Sequence, residues 1–362
     1  FSGEWKKCII QDYGEVITGN TPPTNNAEYY NNGSYLWASP ADLGTGKKIN
    51  DTKTKLSESG FKKTRIIPKG SILVTCIGST IGKIGMAVET MSSNQQINSI
   101  IVNEKSNNDF VYYAISRAFP RYLSEVGVQA VPILSKSNFE KLPNYTTSIE
   151  EQDKTGYFLN LLDERIATQN KIIDKLQSLI KGISNKIFAT IQGIEYRMGN
   201  IVTISNGNSN VQDAVTESKD GLYPFFDRSE DIKYLPTFLF DKEAIIYPGE
   251  GAEFMPRYFR GKFALHQRCY AIFDFKEIIN AQFLYFYLKT QNSYFVRNAV
   301  GSTVPSLRLD TFQKLKVIIP PKKIQHSVSL CLSSMEQKCN VEKDILQKLL
   351  KQKQYLLRQM FI

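Results

Sequence analysis

Two long segments of the chain carry apolar residues at alternating intervals of three and four, with charged residues between them. In the first segment, residues 158–188, the periodic positions are Leu162, Ile166, Gln169, Ile173, Leu176, Ile180, Ile183 and Ile187. This spacing is typical of a coiled-coil seam, in which a helix needs a partner along one stripe only. The segment alone is equally consistent with a single amphipathic helix that lies on a globular domain.

The second segment, residues 331–361, is a copy of the first that is displaced by 173 residues. At this offset Leu332 falls on Leu159 and Phe361 falls on Phe188. The seam residues predicted in this copy are Met335, Leu346, Leu349, Leu356 and Met360. The second copy is therefore the predicted partner of the first helix.

The regions that precede the two helices are also related to each other. Residues 109–115 (DFVYYAI) align with 282–288 (QFLYFYL) at the same offset, and 93–101 aligns with 265–273 after a shift of one residue. A repeat of this length indicates an internal duplication of one domain followed by one helix.

The predicted fold class is α+β, with two mixed α/β domains and two long helices that form an antiparallel coiled coil, as a pseudo-twofold internal duplication. The pairing is predicted to be antiparallel because the second domain starts directly after the first helix, so the second helix must return along it. The seam from Leu162 to Ile187 then spans roughly 40 Å at ~1.5 Å per residue. The predicted segments are residues 1–149 and 193–322 for the domains, and 150–192 and 323–362 for the helices.

Composition indicates a globular protein with a polyanionic partner. The chain has 362 residues, 42% of them hydrophobic, and a net charge of +10 from 45 Lys and Arg against 35 Asp and Glu. This excess makes nucleic acid the first partner to consider. No run approaches the ~18 apolar residues of a membrane helix, and the first ten residues lack the pattern of a signal peptide. The five cysteines lack C-x-x-C spacing, which favours a reducing cytoplasm over disulfides or zinc.

The sequence contains no recognisable catalytic motif. Residues 78–85 (GSTIGKIG) depart from the phosphate-binding loop because the glycine spacing is short and Ile84 follows Lys83. The Asn/Asp-Pro-Pro-aromatic loop of amino-methyltransferases is absent, and Asp51 and Asp231 lack the companion carboxylate that a metal-dependent nuclease needs. We therefore predict neither catalytic residues nor a metal site.

Hydrogen-bonding side chains are concentrated in the loops between short β-type runs. Arginine pairs with guanine, Asn and Gln pair with adenine, and lysine neutralises phosphates. For each residue, a solvated loop without function remains an alternative. The predicted DNA-binding residues are Thr18, Asn20, Thr21, Lys47, Lys48, Lys62, Lys63, Arg65, Ser79, Thr80, Lys83, Asn94, Gln95 and Gln96 in the first copy, and Asn206, Asn208, Arg257, Arg260, Lys262, His266, Gln267 and Arg268 in the second.

The chain resembles the specificity subunit of a bacterial type I restriction-modification system. The resemblance covers nearly the whole chain and lies in the openings GEVITGNTPP (14–23) and GNIVTISNGN (199–208), the NQQ strand, and the segments IEEQ (149–152), LLDERI (161–166) and IQHSVSLCLSSMEQKC (324–339). It implies two target recognition domains that each read one half of an asymmetric, bipartite site in double-stranded DNA. The paired helices would set the spacer between the halves.

The resemblance also implies the partners. The helices would dock two modification (methyltransferase) subunits, and restriction/translocase subunits would join the full complex. S-adenosylmethionine, ATP and Mg²⁺ would then belong to the partner subunits, and this chain would be non-catalytic. The second copy has residues 266–268 (HQR) where the first has 94–96 (NQQ), and it lacks the TPP of the first. These differences imply two unlike half-sites.

Two other functions remain open at this point. The chain could be an assembly scaffold that does not bind DNA, or the recognition portion of a single-chain restriction-methylation enzyme. Sequence-selective binding to duplex DNA separates the scaffold from the other two, and the missing catalytic motifs argue against the fused enzyme.

Overall fold

The computed structural model describes residues 4–125 and 133–361, and the chain divides into two compact units. Unit 1 consists of Phe1–Gln169 and Ile345–Ile362, and unit 2 consists of Asn170–Asp344. Each unit therefore combines one mixed α/β domain with a part of each long helix. The sequence separates the helices from the domains instead, and that four-segment division stays a prediction.

Unit 1 starts with a domain of short strands and three helices, followed by a very long helix. Its strands are β1 (Lys6–Ile9), β2 (Gly14–Thr18), β3 (Tyr35–Ala38), β4 (Lys48–Ile49), β5 (Thr54–Leu56), β6 (Ile72–Thr75), β7 (Ile84–Ala87), β8 (Ser92–Ser93), β9 (Ile97–Val102) and β10 (Pro143–Thr146). Its helices are α1 (Glu58–Phe61), α2 (Asn108–Glu125), α3 (Lys136–Glu140) and α4 (Ile149–Thr190), whose second half belongs to unit 2.

The strands of unit 1 form three sheets. The largest has the order β2-β9-β6-β7-β4, a second has the order β5-β3-β8, and β1 pairs with β10. Helices α2 and α3 pack on one face of the five-stranded sheet through Phe110, Tyr113 and Phe139, which are all fully buried. Buried side chains of Leu36, Leu73 and further apolar residues form a separate core on the opposite side.

Unit 2 repeats this arrangement with fewer breaks in its strands. The strands are β11 (Ile194–Arg197), β12 (Thr203–Asn206), β13 (Tyr223–Phe226), β14 (Lys233–Leu235), β15 (Phe240–Pro248), β16 (Arg257–Leu265), β17 (Cys269–Phe273) and β18 (Lys316–Ile319). The helices are α5 (Ala281–Lys289), α6 (Asn292–Asn298), α7 (Leu309–Lys314) and α8 (Lys322–Met360). The last part of α8 belongs to unit 1.

A single six-stranded sheet in unit 2 replaces two sheets of unit 1. Its order is β12-β17-β15-β16-β13-β14, and β11 pairs with β18. Strand β16 is continuous and pairs with both β15 and β13, whereas β7 and β8 at the corresponding positions of unit 1 belong to different sheets. The continuous strand joins the two halves of the sheet.

Matching hydrogen bonds confirm the internal duplication predicted from the sequence. Gln152 near the start of α4 accepts the Asn107 backbone N–H at 2.9 Å, and Gln325 near the start of α8 accepts the Asn280 N–H at 2.7 Å. Each glutamine also donates to the carbonyl five residues earlier, at 2.9 and 2.8 Å. Both glutamines are buried, so these bonds satisfy polar groups that have no access to water.

Each domain packs on both long helices through equivalent apolar residues. In unit 1, Leu159 of α4 and Phe361 after α8 join the main core, and in unit 2 the equivalent Leu332 of α8 and Phe188 of α4 do so. Unit 1 thus joins the start of α4 to the end of α8, and unit 2 joins the end of α4 to the start of α8. Within each unit the two helices run antiparallel.

The predicted seam positions are all buried or half-buried in the structure. They include the polar Gln169, which is 8% exposed, as is Glu342 in the second helix. Ser184 and Cys339 are also buried, although the predicted seam omits them. Cys339 lies four residues after Met335, so the periodicity itself contained the signal for it. Lys353 replaces an apolar residue in the second copy and pairs with Asp163 at 2.5 Å within unit 1.

Candidate nucleic-acid interface

Three loops of unit 1 meet around Asn20, directly after β2. The Asn20 Nδ2 donates to the Lys63 carbonyl at 2.9 Å, and its Oδ1 accepts the Arg65 backbone N–H at 2.8 Å. The Arg65 Nη1 then donates to the Thr18 carbonyl at 2.6 Å. Asn20 and Arg65 therefore hold the loops together, while the side chains of Lys63 and Arg65 stay exposed.

The loop between β8 and β9 completes this cluster with residues 94–96. Asn94 is buried, and its Nδ2 donates to the Gln96 Oε1 at 3.0 Å, while its Oδ1 accepts the Gln96 backbone N–H at 3.0 Å. The Thr21 hydroxyl donates to the Gln95 Oε1. Asn94 orients Gln96, and Gln95 presents an exposed amide beside Thr21. The Thr18 hydroxyl donates to the Asn98 Oδ1 at 2.7 Å and is engaged within the sheet.

The loop between β6 and β7 adjoins Gln96. Gly78 has a φ of +95°, and a Cβ at this position would lie 3.6 Å from the Gln96 Nε2. Ser79 in this loop is exposed, and Thr80 and Lys83 are half-buried. The structure thus brings most of the polar residues predicted in the first copy into adjoining loops. We name these residues cluster 1: Thr18, Asn20, Thr21, Lys63, Arg65, Ser79, Thr80, Lys83, Asn94, Gln95 and Gln96.

The remaining predicted lysines of unit 1 lie in different environments. Lys48 is exposed on β4, and Lys62 is exposed but pairs with Glu58 at 2.6 Å. Exposed pairs of this kind contribute little to stability and leave the lysine able to exchange partners.

Lys47 does not fit the predicted phosphate contact. Its side chain is only 6% exposed, and its Nζ lies 2.5 Å from the Asp109 Oδ1 and 3.0 Å from the Asn160 Oδ1. The same Nζ lies 4.4 Å from the centre of the Tyr113 ring. Burial lowers the pKa of Lys47, and the hydrogen bond with Asp109 opposes that shift. The charge of this ammonium is balanced by Asp109 in a site that is nearly closed to water, so Lys47 does not reach phosphate. Its contact with Asn160 joins the domain to α4 instead.

Unit 2 holds a second cluster of polar loops, which we name cluster 2: Asn206, Asn208, His266, Gln267 and Arg268. Asn206 Nδ2 donates to the Gln267 carbonyl at 3.4 Å. The Arg268 Nη1 donates to both carboxylate oxygens of Glu250, at 2.8 and 3.0 Å. The His266 Nδ1 accepts the Arg268 backbone N–H at 3.3 Å, and partial burial lowers the pKa of His266. Partial burial thus favours the neutral form of His266, and Nδ1 is its acceptor in this contact.

Cluster 2 borders a pocket whose other residues were not predicted from the sequence. The pocket has a volume of about 510 Å³ and is lined by His266, Gln267 and Arg268 together with Val211, Asp227, Arg228, Ser229, Lys233, Glu250 and Cys269. Asp227 is buried and accepts from Lys233 Nζ at 2.6 Å and from the Ser229 N–H at 2.7 Å. Burial raises the pKa of Asp227, but these hydrogen bonds more than offset that effect and lower it. Asp227 and Arg228 follow directly after the aromatic strand β13, and these two adjacent charges were the feature of the sequence that could have indicated the pocket.

Three predicted residues of strand β16 lie outside cluster 2. Arg257 donates to the Ser229 carbonyl and packs on the Phe226 ring, so it holds Ser229 of the pocket wall in place. Lys262 is exposed over the Phe238 ring, with 4.8 Å between its Nζ and the ring centre. Arg260 is exposed and pairs in register with Glu243 of β15.

Clusters 1 and 2 occupy the same place in their units. The Asn94 N–H donates to the Ala38 carbonyl at 2.9 Å, and the His266 N–H donates to the Phe226 carbonyl at the same distance. After the first strand of each domain, Gly19 donates to the Ile97 carbonyl and Gly207 to the Cys269 carbonyl, at 3.0 and 3.2 Å. The backbone frames are alike, and the side chains that they present are different.

Comparison with known proteins identifies the family of this chain. The family described as "Type I restriction modification DNA specificity domain" matches residues 2–178 and 194–351, one match for each copy of the repeat. The chain belongs to this family. It is 25% identical over 391 aligned positions to the MjaIX specificity subunit of Methanocaldococcus jannaschii, a type I restriction enzyme, covering 95% of this chain and 89% of that protein.

Two solved structures have the same fold. The S subunit of a type I restriction-modification system from M. genitalium has a TM-score of 0.69 at 18% identity, covering 100% of this chain and 97% of that one. A chain from a study of the complex assembly and conformational transition of the type I system has a TM-score of 0.60 at 13% identity, covering 99% and 97%. The predicted family and fold class are confirmed, and the family gives this chain a DNA-specificity role.

Among the helices in residues 4–125 and 133–361, none is both long and apolar enough to cross a membrane. No group of three or more His, Cys, Asp and Glu side chains in the described ranges could hold a metal ion.

Proposed function

We propose that clusters 1 and 2 read the two halves of a bipartite, asymmetric site in duplex DNA. The observation that carries this proposal is that equivalent backbone frames present different side chains, Asn94–Gln96 in one unit and His266–Arg268 in the other. Side chains that offer amides and side chains that offer guanidinium and imidazole groups suit different base edges in the major groove. Two unlike half-sites follow from this difference.

Exposed cations of unit 1 would supply affinity without base selection. Lys48, Lys63 and Arg65 are exposed, and the whole chain carries a net charge of +10. Such cations release counterions when they bind phosphate, so the affinity for DNA should fall steeply as salt increases.

The long helices are proposed to set the spacer between the half-sites. Helix α4 has 42 residues and α8 has 39. At ~1.5 Å per residue each is roughly 60 Å long, well above the ~35 Å of one turn of B-DNA, so the helices are long enough to hold two reading surfaces at separate positions on a duplex.

We propose that exposed apolar residues on these helices dock two modification subunits. On α4 in unit 1, Tyr157 is 65% exposed and Leu161 is 45% exposed, and both lie on one side of the helix. The repeat equivalent of Tyr157 is Leu330 on α8 in unit 2, which is 60% exposed. Exposed apolar groups at equivalent positions suit two copies of the same partner.

Leu161→Asp is expected to weaken assembly with the modification subunit by about tenfold or more, because a carboxylate replaces an apolar side chain in the proposed docking surface. Ala167→Asp is the matched control, since Ala167 is also exposed on α4 but lies about 120° around the helix from Leu161. Co-purification of the two subunits at several concentrations measures the effect. Equal assembly of the two variants would contradict this docking surface.

Methylation and cleavage are proposed to reside in the partner subunits. S-adenosylmethionine would then be bound by the modification subunits, and ATP and Mg²⁺ by the modification and restriction/translocase assembly. The chain itself would supply sequence recognition and positioning in the cytoplasm of the cell, where the DNA is.

Long-read methylome sequencing of cells that express the chain with its modification subunit tests the proposed function. The expected result is one bipartite motif with two different halves and a spacer of fixed length. The control is the modification subunit alone, which should leave no such motif. A purified complex that shows no sequence-selective shift of duplexes, together with the absence of a methylated motif, would support an assembly scaffold and reject the proposal.

A further inference from the structure

Arg268 is the one cluster 2 residue whose charged group is held by a partly buried acid. The Glu250 side chain is 19% exposed, whereas the Arg268 side chain is 63% exposed. The contact uses a single nitrogen of the guanidinium, Nη1, which donates to both carboxylate oxygens. Glu250 therefore fixes the direction of the guanidinium from the protein side.

The Nη2 and Nε atoms of Arg268 are available to bind a ligand. Among the described residues, no partner is found for its Nη2 and Nε atoms, which together retain three N–H donors. Two adjacent donors of a guanidinium match the O6 and N7 acceptors of guanine, which is the commonest specific contact in the major groove. Unit 1 has Gln96 at this position, whose side chain is held by Asn94 and offers an amide instead.

We propose that Arg268 reads a guanine in the half-site of unit 2 and that Glu250 is the positioning residue for this contact. The inference rests on the proposed function and adds the identity of one base. An exposed arginine loses side-chain freedom when it binds, and the contact with Glu250 removes part of that freedom in advance.

The surroundings of Arg268 agree with this role. Glu250 is paired with Arg268, so its charge does not face the phosphates unopposed. The backbone N–H of Arg268 donates to the His266 Nδ1 at 3.3 Å, and this contact restrains the main chain at the base of the side chain. Gln267 beside them is exposed and is available for the neighbouring base.

Arg268→Gln is expected to remove the guanine from the methylated motif at one position of one half-site, with the other half unchanged. On duplexes that carry the motif, the wild-type complex should prefer G·C over A·T at that position by about 10- to 100-fold, and the variant should lose this preference. Arg297→Gln is the control, because Arg297 lies on α6 and makes only an exposed contact with the Ser293 carbonyl. Its motif should match that of the wild type.

Glu250→Gln separates positioning from binding. This variant should keep guanine in the motif but lower the G·C preference by about threefold to tenfold, because the arginine is no longer pre-oriented. Glu250→Asp should restore most of the preference, whereas a defect of folding would lower the affinity for both duplexes equally.

The outcomes also distinguish the two proposals. If the wild-type complex produces no bipartite motif, the proposed function fails. If the motif is bipartite but Arg268→Gln leaves every specified guanine in place, the function stands and the assignment of Arg268 is wrong.

Discussion

One additional heptad in α4 together with one in α8 should lengthen the unspecified spacer and leave both half-sites unchanged. A second copy of residues 173–179 in α4 and of residues 339–345 in α8 keeps the spacing of the seam, because seven residues restore the same face. The added length is about 10.5 Å, which corresponds to about three base pairs at ~3.4 Å each. Methylome sequencing reads the new spacer directly.

The same change should also weaken DNA binding. Each base pair rotates the groove by roughly 35°, so three added base pairs rotate the second half-site by about 100°. A heptad rotates the helix by only about 20° from its former face. Binding should weaken because these two rotations do not match. A heptad in α4 alone is the control, since it leaves one helix short and should reduce assembly instead of giving a longer spacer. Changed bases in either half-site would show that the helices take part in base reading.

Lys47→Ala should destabilise unit 1 by about 2 kcal/mol, because it removes a buried ammonium that is bonded to Asp109, whose side chain is 33% exposed and can be rehydrated. The effect extends to α4, where Asn160 loses the Lys47 donor. Both tryptophans of the chain, Trp5 and Trp37, belong to unit 1, so tryptophan fluorescence during urea unfolding reports this unit alone.

Lys48→Ala is the matched control, one residue along the chain. Lys48 is exposed, so its removal should change stability by less than about 0.5 kcal/mol and lower the salt dependence of DNA binding by about one counterion. The opposite pattern, with normal unfolding of the Lys47 variant and a loss of its salt dependence, would restore the phosphate contact predicted from the sequence.

The pair Lys47 and Lys48 illustrates why the candidate site was only partly predictable. The two lysines are adjacent in one polar segment, and nothing in the local sequence separates their roles. Their roles differ because Asp109 and Asn160, which are 62 and 113 residues away in the sequence, reach one of them and not the other. The same limit applies to Glu250, which is 18 residues from Arg268 and had no motif that marked it.

The duplication was readable from the sequence because it rests on local and periodic information. The offset of 173 residues relates the two glutamines, Gln152 and Gln325, that make equivalent hydrogen bonds in the two units. The seam followed from intervals of three and four, since an α-helix returns to the same face after those steps. These features depend on residue spacing and hydropathy, which a single chain displays directly.

The sequence by itself determined that the protein has two related domains, that two long helices pair through one stripe, and that the two copies present different polar side chains at the same position. Only the tertiary structure decided which of those side chains are available to DNA. Asn94 and Lys47 are buried among partners, whereas Gln95 and Arg268 are exposed. The physical reason is that availability depends on burial and on hydrogen bonds between residues far apart in the chain, and folding alone brings those residues together.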